Sequence, residues 1–151
     1  MANTMVQNYV HIVFRIKSTS ILMQRSDLPR IHAYLGGLLK NLGCIPVIVG
    51  GVHNHIHALI SLSKNIALSG LMRNLKANSS RWIKTLSPNY ESFAWQDGYG
   101  AFSISPSILG KTIDYIKNQE LHHQIYSFAD EIKALLDAYN IQYDEKYLFN
   151  D

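Results

Sequence analysis

Apolar and polar positions alternate loosely over residues 8–17 (NYVHIVFRIK), which are rich in β-branched and aromatic side chains and so predict a strand. Asp27, Leu28 and Pro29 then mark a helix start, with Asp27 as N-cap and proline in the first turn, and the helix runs through HAYLGGLLKNL to stop at Gly43. Residues 44–52 (CIPVIVGGV) and 55–62 (HIHALISL) predict a second and third strand joined by a hairpin turn between Gly50-Gly51 and Asn54. From Ile66 to about Leu86 the period becomes helical. Leu68, Leu71, Leu75, Trp82 and Leu86 share one side, while Arg73, Lys76, Arg81 and Lys84 share the other, which makes an amphipathic helix with a basic outer face.

Residues 93–104 (FAWQDGYGAFSI) are aromatic and interrupted at Asp97-Gly98, as strand residues flanking a turn or bulge would be. Ser105-Pro106 opens a helix to about Gln119, a second helical stretch covers about 121–139, and the last dozen residues, without a period, are expected as a tail or docking segment. The order β, α, β, β, α, β, α plus one helix, with hairpin-linked strands, predicts an α+β fold. Its form is a ferredoxin-like antiparallel sheet with helices on one face, followed by a C-terminal helix bearing Tyr115 and a tail.

Length and composition fit this outline. A chain of 151 residues, 47% hydrophobic and 17% charged, is expected to form one compact domain over 1–151 with a packed core, not a disordered chain. Cys44, alone and in an apolar stretch, predicts a buried residue and a reducing cytoplasm. No apolar run approaches the roughly 18 residues of a membrane span, and MANTMVQN lacks a signal-peptide pattern, so a soluble, unsecreted protein with no membrane partner is expected.

The net charge of +3 is unevenly spread: residues 1–119 carry 12 Lys/Arg against four acids, and residues 120–151 two Lys against seven acids. A basic body fits binding to a polyanion, because cations near phosphates release condensed counterions, although charge alone reads equally well as solvated surface.

Chemistry concentrates in two segments. In Gly51-Val52-His53-Asn54-His55-Ile56-His57, residues two apart on a strand share a face, so His55 and His57 can offer imidazole nitrogens to one metal ion. Two ligands leave open positions for substrate, as catalysis requires, although an isolated His-x-His is more often structural. His53 reads as a turn-edge residue that could also reach the metal or a phosphate, and His122 and His123 as residues beside the site or on the surface. In the second segment, Tyr115 and Gln119 lie four apart on one helical face shared with Ile108 and Thr112, beside an apolar stripe of Leu109, Ile113 and Ile116. A lone tyrosine there reads as a core-edge aromatic.

His-hydrophobic-His on a strand, followed by Tyr-x-x-x-Gln on a helix, resembles the HUH single-tyrosine transposases of the IS200/IS605 type and the related REP-associated tyrosine transposases. The paired glycines before the histidines, LMRNLKANSSRWI, FAWQDGYGAFSIS and YIKNQELHH add to a resemblance that spans Tyr9 to Gln124. It implies Tyr115 as the nucleophile, His55, His57 and Gln119 as ligands of Mg²⁺ or Mn²⁺, and nicking and rejoining of single-stranded DNA beside hairpins at element ends through a 5′-phosphotyrosine. It further implies a prokaryotic protein acting on DNA as a homodimer, with an apolar first or second strand joining the sheets and each site completed in trans. Arg73, Lys76, Arg81 and Lys84 would hold phosphates, and Tyr99 or Phe102 would stack on bases. Many members carry Asp where this chain has Asn54, which bears on how His55 is oriented. Two other classes predict different behaviour: a metal-dependent nuclease would cleave without a covalent adduct, and a host-retained nucleic-acid-binding module would bind regardless of chelator.

Overall fold

A computed structural model describes residues 3–149. In chain order it contains β1 (Tyr9–Arg15), α1 (Leu28–Asn41), β2 (Ile45–Val52), β3 (His55–Ser61) and α2 (Leu68–Lys84). These are followed by β4 (Gly100–Ser103), α3 (Leu109–Lys117), α4 (Gln119–His122), α5 (Phe128–Ala138) and α6 (Glu145–Leu148). The strands form one antiparallel sheet in the order β2-β3-β1-β4, which is the ferredoxin-like arrangement. Among the described residues no helix is long and apolar enough to cross a membrane.

Strand parity divides the core. Val10, Ile12 and Phe14 of β1 and Ile56, Ala58 and Ile60 of β3 point to one face. There they meet Ile31, Leu35 and Leu39 of α1 and Leu71, Met72, Leu75 and Ile83 of α2, spaced at helical intervals. On the other face Val13 and Phe102 pack on Ile132 and Leu136 of α5, and Leu59 packs with Ile104 and Ile116 of α3. The C-terminal helices thus cover the sheet face that α1 and α2 leave free. The tail folds back as well: Leu148 and Phe149 join the Val13 cluster, and Arg15 donates to the Phe149 carbonyl at 2.6 Å. Positions 150 and 151 lie outside the described residues.

Several local expectations shift. Asp27 does not cap α1 with its side chain, because a 3-10 turn over Arg25–Asp27 already gives it helical dihedrals. Its carboxylate instead accepts from Tyr90 and Arg30, each at 2.6 Å. The aromatic segment shortens to β4, with Trp95 bridging Ile16 before the turn at Gly98. The trigger is burial: the Trp95 indole packs on Phe14 and donates to Ser79 at 2.9 Å, drawing the chain inward before the turn. β1 lies between β3 and β4, so of the two strands expected to offer a pairing edge only β2 does, with Pro46 at a register shift and Ile45 exposed.

The β2–β3 hairpin turns at His53-Asn54, later than expected, and is tied down on both sides: Met23 donates to the His53 carbonyl at 2.9 Å and Ile16 to that of Asn54 at 3.0 Å. Gly51 enters it at φ +132°, where a Cβ would lie 2.3 Å from the His55 carbonyl oxygen. Gly51→Ala is therefore expected to lower stability by at least about 2 kcal/mol, the cost of a forbidden dihedral plus a backbone clash, measured by urea denaturation.

Candidate active site

The site grows from β3, all seven of whose residues are buried. Alternation sends Ile56 and Ala58 into the apolar core under α1 and α2, and His55 and His57 to the opposite face under α3, α4 and α5. Buried imidazoles need partners, and each nitrogen has one. His55 Nδ1 meets Asn54 Oδ1 at 2.7 Å, so the amide at position 54 still orients the ring. His57 Nδ1 meets His11 Nε2 at 2.8 Å across the β1–β3 ladder. Burial depresses His57 to about 4 and His11 to about 3, in the latter case with the neighbouring His57 charge adding to the effect, so both rings are neutral near pH 7.

The tyrosine helix reaches this face because β2 lets it come close. At Gly50 a Cβ would meet the Ile116 side chain at 2.8 Å and its carbonyl oxygen at 3.0 Å. Only glycine allows that approach, which seats Ile116 against β2 and turns Tyr115 toward the histidines, its ring centroid 5.7 Å from that of His57. The helix breaks at Asn118, one residue before the expected end, and resumes as α4, yet Gln119 stays with Tyr115: its Nε2 lies 3.5 Å from the Tyr115 carbonyl. Gln119 is 1% exposed, and its Oε1 lies 3.1 Å from His55 Nε2. All four residues singled out in the two motifs therefore converge.

Three further groups belong to the cluster and were not placed there from sequence. Glu131 of α5, 4% exposed, stands at its centre, within 3.1 Å of His57 Nε2 and 3.2 Å of His55 Nε2, and takes the Tyr115 hydroxyl as a donor. Burial raises its carboxyl, but contacts with His55 and His57 and the Tyr115 hydroxyl outweigh this and hold it below the usual carboxylate range. His123, read as peripheral, offers Nε2 to Glu131 at 3.1 Å, whereas His53 sits in the turn outside this group. His11 is the third. Strand parity could have flagged His11, which falls in phase with Val13 and out of phase with Val10, Ile12 and Phe14. Ser127, whose side chain caps α5 by accepting from the Asp130 amide, could have flagged a fresh helix carrying one acid within the apolar run Phe128, Ile132, Leu135 and Leu136.

Tyr115 is held as a phenol: burial, then the hydrogen bond to Glu131 and its charge, raise it well above the ordinary value for tyrosine. Beside it opens a cleft of about 470 Å³ lined by His11, Ile104, Ile108, Thr112 and Tyr139, with Tyr115 in its wall.

The donors fit a divalent cation. His55, His57, His123 and Glu131 each bring a ligand atom within 4.8 Å of the others. His123 Nδ1 lies 2.8 Å from the Tyr126 carbonyl, an acceptor, and a ring whose single proton serves that carbonyl aims its Nε2 lone pair at the carboxylate 3.1 Å away. Lone pairs facing an anion repel unless a cation stands between them.

The basic helix lies elsewhere. α2 packs on the sheet face away from the histidines, so Arg73, Arg81 and Lys84, all exposed, form a surface remote from Tyr115. Lys76 differs: its ammonium donates to the carbonyls of Gln96 and Gly98, and burial lowers it to about 8 against the pull of Asp97. It braces the Gln96–Gly98 turn. Phe102 is 2% exposed and belongs to the core, while Tyr99 is 40% exposed.

The protein is thus an antiparallel ferredoxin-like sheet carrying a histidine pair on a central strand, with a tyrosine helix closing over it. The family model for IS200-like transposases matches residues 4–119, and the chain belongs to that family. Two solved structures share the fold. One is a candidate transposase from Deinococcus radiodurans R1, 15% identical, with a TM-score of 0.61 over 79% of this chain and 95% of that one. The other, a REP-associated tyrosine transposase bound to a REP hairpin, is 10% identical, with a TM-score of 0.60 over 82% of this chain and 73% of that one. A search of curated proteins finds no match.

If the cluster takes up a cation, Mn²⁺ at a hundred times its Kd should stabilise the fold by about 2.7 kcal/mol, reversed by EDTA, and His55→Ala with His57→Ala should abolish the gain. Thermal melts with and without Mn²⁺ measure it.

Proposed function

We propose that this transposase-family chain nicks and rejoins single-stranded DNA at hairpin-flanked element ends, with Tyr115 as nucleophile and a metal held by His55, His57 and Gln119. The observation that carries the reading is the convergence of the Tyr115 hydroxyl, Gln119 and both imidazoles of β3 in one buried cluster beside an open cleft. A divalent cation there, Mg²⁺ or Mn²⁺, would offset the phosphate's charge and stabilise the crowded phosphorus of the transition state. The phenol needs such help, since its surroundings oppose ionisation.

In the reaction Tyr115 Oη forms a bond to phosphorus as the bond from phosphorus to the 3′ oxygen breaks; the phenolic proton is lost and the departing oxygen becomes a 3′-hydroxyl. The product, a 5′-phosphotyrosine, conserves the energy of the phosphodiester. Attack by that 3′-hydroxyl, or by another, restores Tyr115 and rejoins DNA without ATP. His57 keeps its orientation through His11, and Gln119 through its carboxamide bond to Glu131 at 3.0 Å.

The hairpin partner is supported by the REP hairpin in the second structural neighbour and by the basic face of α2. Arg73, Arg81 and Lys84 would hold backbone phosphates at a distance from the cut, while Lys76 keeps its bracing role. A homodimer is part of the reading, supported by the unpaired edge of β2 and exposed Ile45.

Incubation with labelled single-stranded DNA from the ends of its own locus and Mn²⁺, followed by a denaturing gel, is expected to show label at protein mass, absent in Tyr115→Phe. Cleavage without an adduct would mean a metal-dependent nuclease, and chelator-indifferent binding without cleavage a nucleic-acid-binding module. Replacing Arg73, Arg81 and Lys84 with alanine should reduce the slope of log affinity against log salt by about 0.7 to 0.9 for each phosphate no longer neutralised, read by fluorescence anisotropy.

A further inference from the structure

The matched family region ends at residue 119, yet the centre of the site is filled by a residue beyond it. The two oxygens of Glu131 face different partners. Oε1 receives three imidazoles, His57 Nε2 at 3.1 Å, His123 Nε2 at 3.1 Å and His55 Nε2 at 3.2 Å. Oε2 receives the Tyr115 hydroxyl and Gln119 Nε2 at 3.0 Å, with His122 Nε2 3.3 Å away but not hydrogen-bonded to it. One oxygen looks into the cation site and the other toward the nucleophile.

We infer that Glu131 is a metal ligand through Oε1 and the positioning residue for Tyr115 through Oε2, with His123 as a further ligand, so that the C-terminal segment completes the metal centre. This rests on the metal-dependent tyrosine reading above. The Nδ1 atoms of His55 and His123 each face an acceptor, Asn54 Oδ1 and the Tyr126 carbonyl, and a ring whose single proton serves that acceptor turns an Nε2 lone pair toward Oε1; a cation shared by Oε1 and the Nε2 atoms of His55, His57 and His123 would satisfy these groups together. The carboxylate is delivered by packing. Ile132, next in sequence, and Leu136 lock α5 onto Val13 and Phe102, and Phe128 packs its ring 4.5 Å from His55. Because one rigid group touches both the ligands and the phenol, filling the metal site also fixes where Tyr115 Oη stands. Three imidazoles and a carboxylate favour Mn²⁺ over Mg²⁺, which prefers oxygen ligands and retained water.

The test pairs isothermal titration of the full chain with Mn²⁺ against the covalent-adduct assay, for wild type, Glu131→Gln and His123→Gln, with melts to confirm folding. Glu131→Gln is expected to weaken Mn²⁺ binding at least tenfold and to slow adduct formation even at saturating Mn²⁺. His123→Gln should weaken Mn²⁺ binding but recover its adduct rate at saturation, and it carries the test of the metal role if Glu131→Gln does not fold. Mn²⁺ binding unchanged in both variants, or faster adduct formation in Glu131→Gln, which would mark the carboxylate as a plug, overturns the inference. Wild type that binds Mn²⁺ in a Glu131-dependent way yet never forms an adduct leaves Glu131 as a ligand and overturns the tyrosine reading instead.

Discussion

β3 is enclosed on both sides, and its two-residue period therefore carries two imidazoles into the protein interior. That constraint organises the molecule. An apolar residue at position 55 or 57 would simply add to the core, whereas a buried imidazole must have a partner on each nitrogen. Asn54 in the hairpin turn and His11 in β1 serve the Nδ1 atoms, which leaves both Nε2 atoms directed at the helical layer above. The helices of that layer answer with Gln119, Glu131 and His123. The polar cluster and the hydrophobic contacts of Ile116, Ile132 and Leu136 thus hold the same three C-terminal helices in place.

The two faces of the sheet divide the labour. Beneath, α1 and α2 bury a large apolar surface and supply stability, with Trp95 and Lys76 tying the aromatic segment to α2. Above, the packing is thinner and built around charge: a carboxylate, several imidazoles and a phenol in close contact. Such a cluster costs stability unless a cation resolves it, which is the usual relation between a functional site and its scaffold. The glycines before the histidines serve this division. Gly51 makes the hairpin possible, and Gly50 lets α3 approach β2 closely enough for Tyr115 to reach across.

What could be read from the sequence follows what is local. The alternation in residues 8–17 and 55–62, the helical period from Ile66 to Leu86 and the four-residue spacing of Tyr115 and Gln119 all depend on neighbours along the chain, and each appears where its pattern placed it. The central place of β1 depends on pairing with β3 across more than 40 residues, which no window of sequence contains. The same holds for His11, which becomes part of the site only because Val13 pairs with His57. Glu131 escaped notice for a different reason. The stretch from 121 to 139 looks like one continuous amphipathic helix, and only the break before Ser127 turns the start of α5 so that its acid faces β3. Lys76, grouped with the other cations by period, differs from them because of a turn that lies twenty residues away.

The most direct test of the account is a crystal structure of the full chain grown with Mn²⁺, read by anomalous scattering. The account predicts one strong peak bounded by the Nε2 atoms of His55 and His57, with Gln119 and Glu131 supplying oxygen and the Tyr115 hydroxyl facing the open side. A peak away from β3, or a site without Mn²⁺ in which Glu131 keeps its direct contacts with the imidazoles, would contradict it.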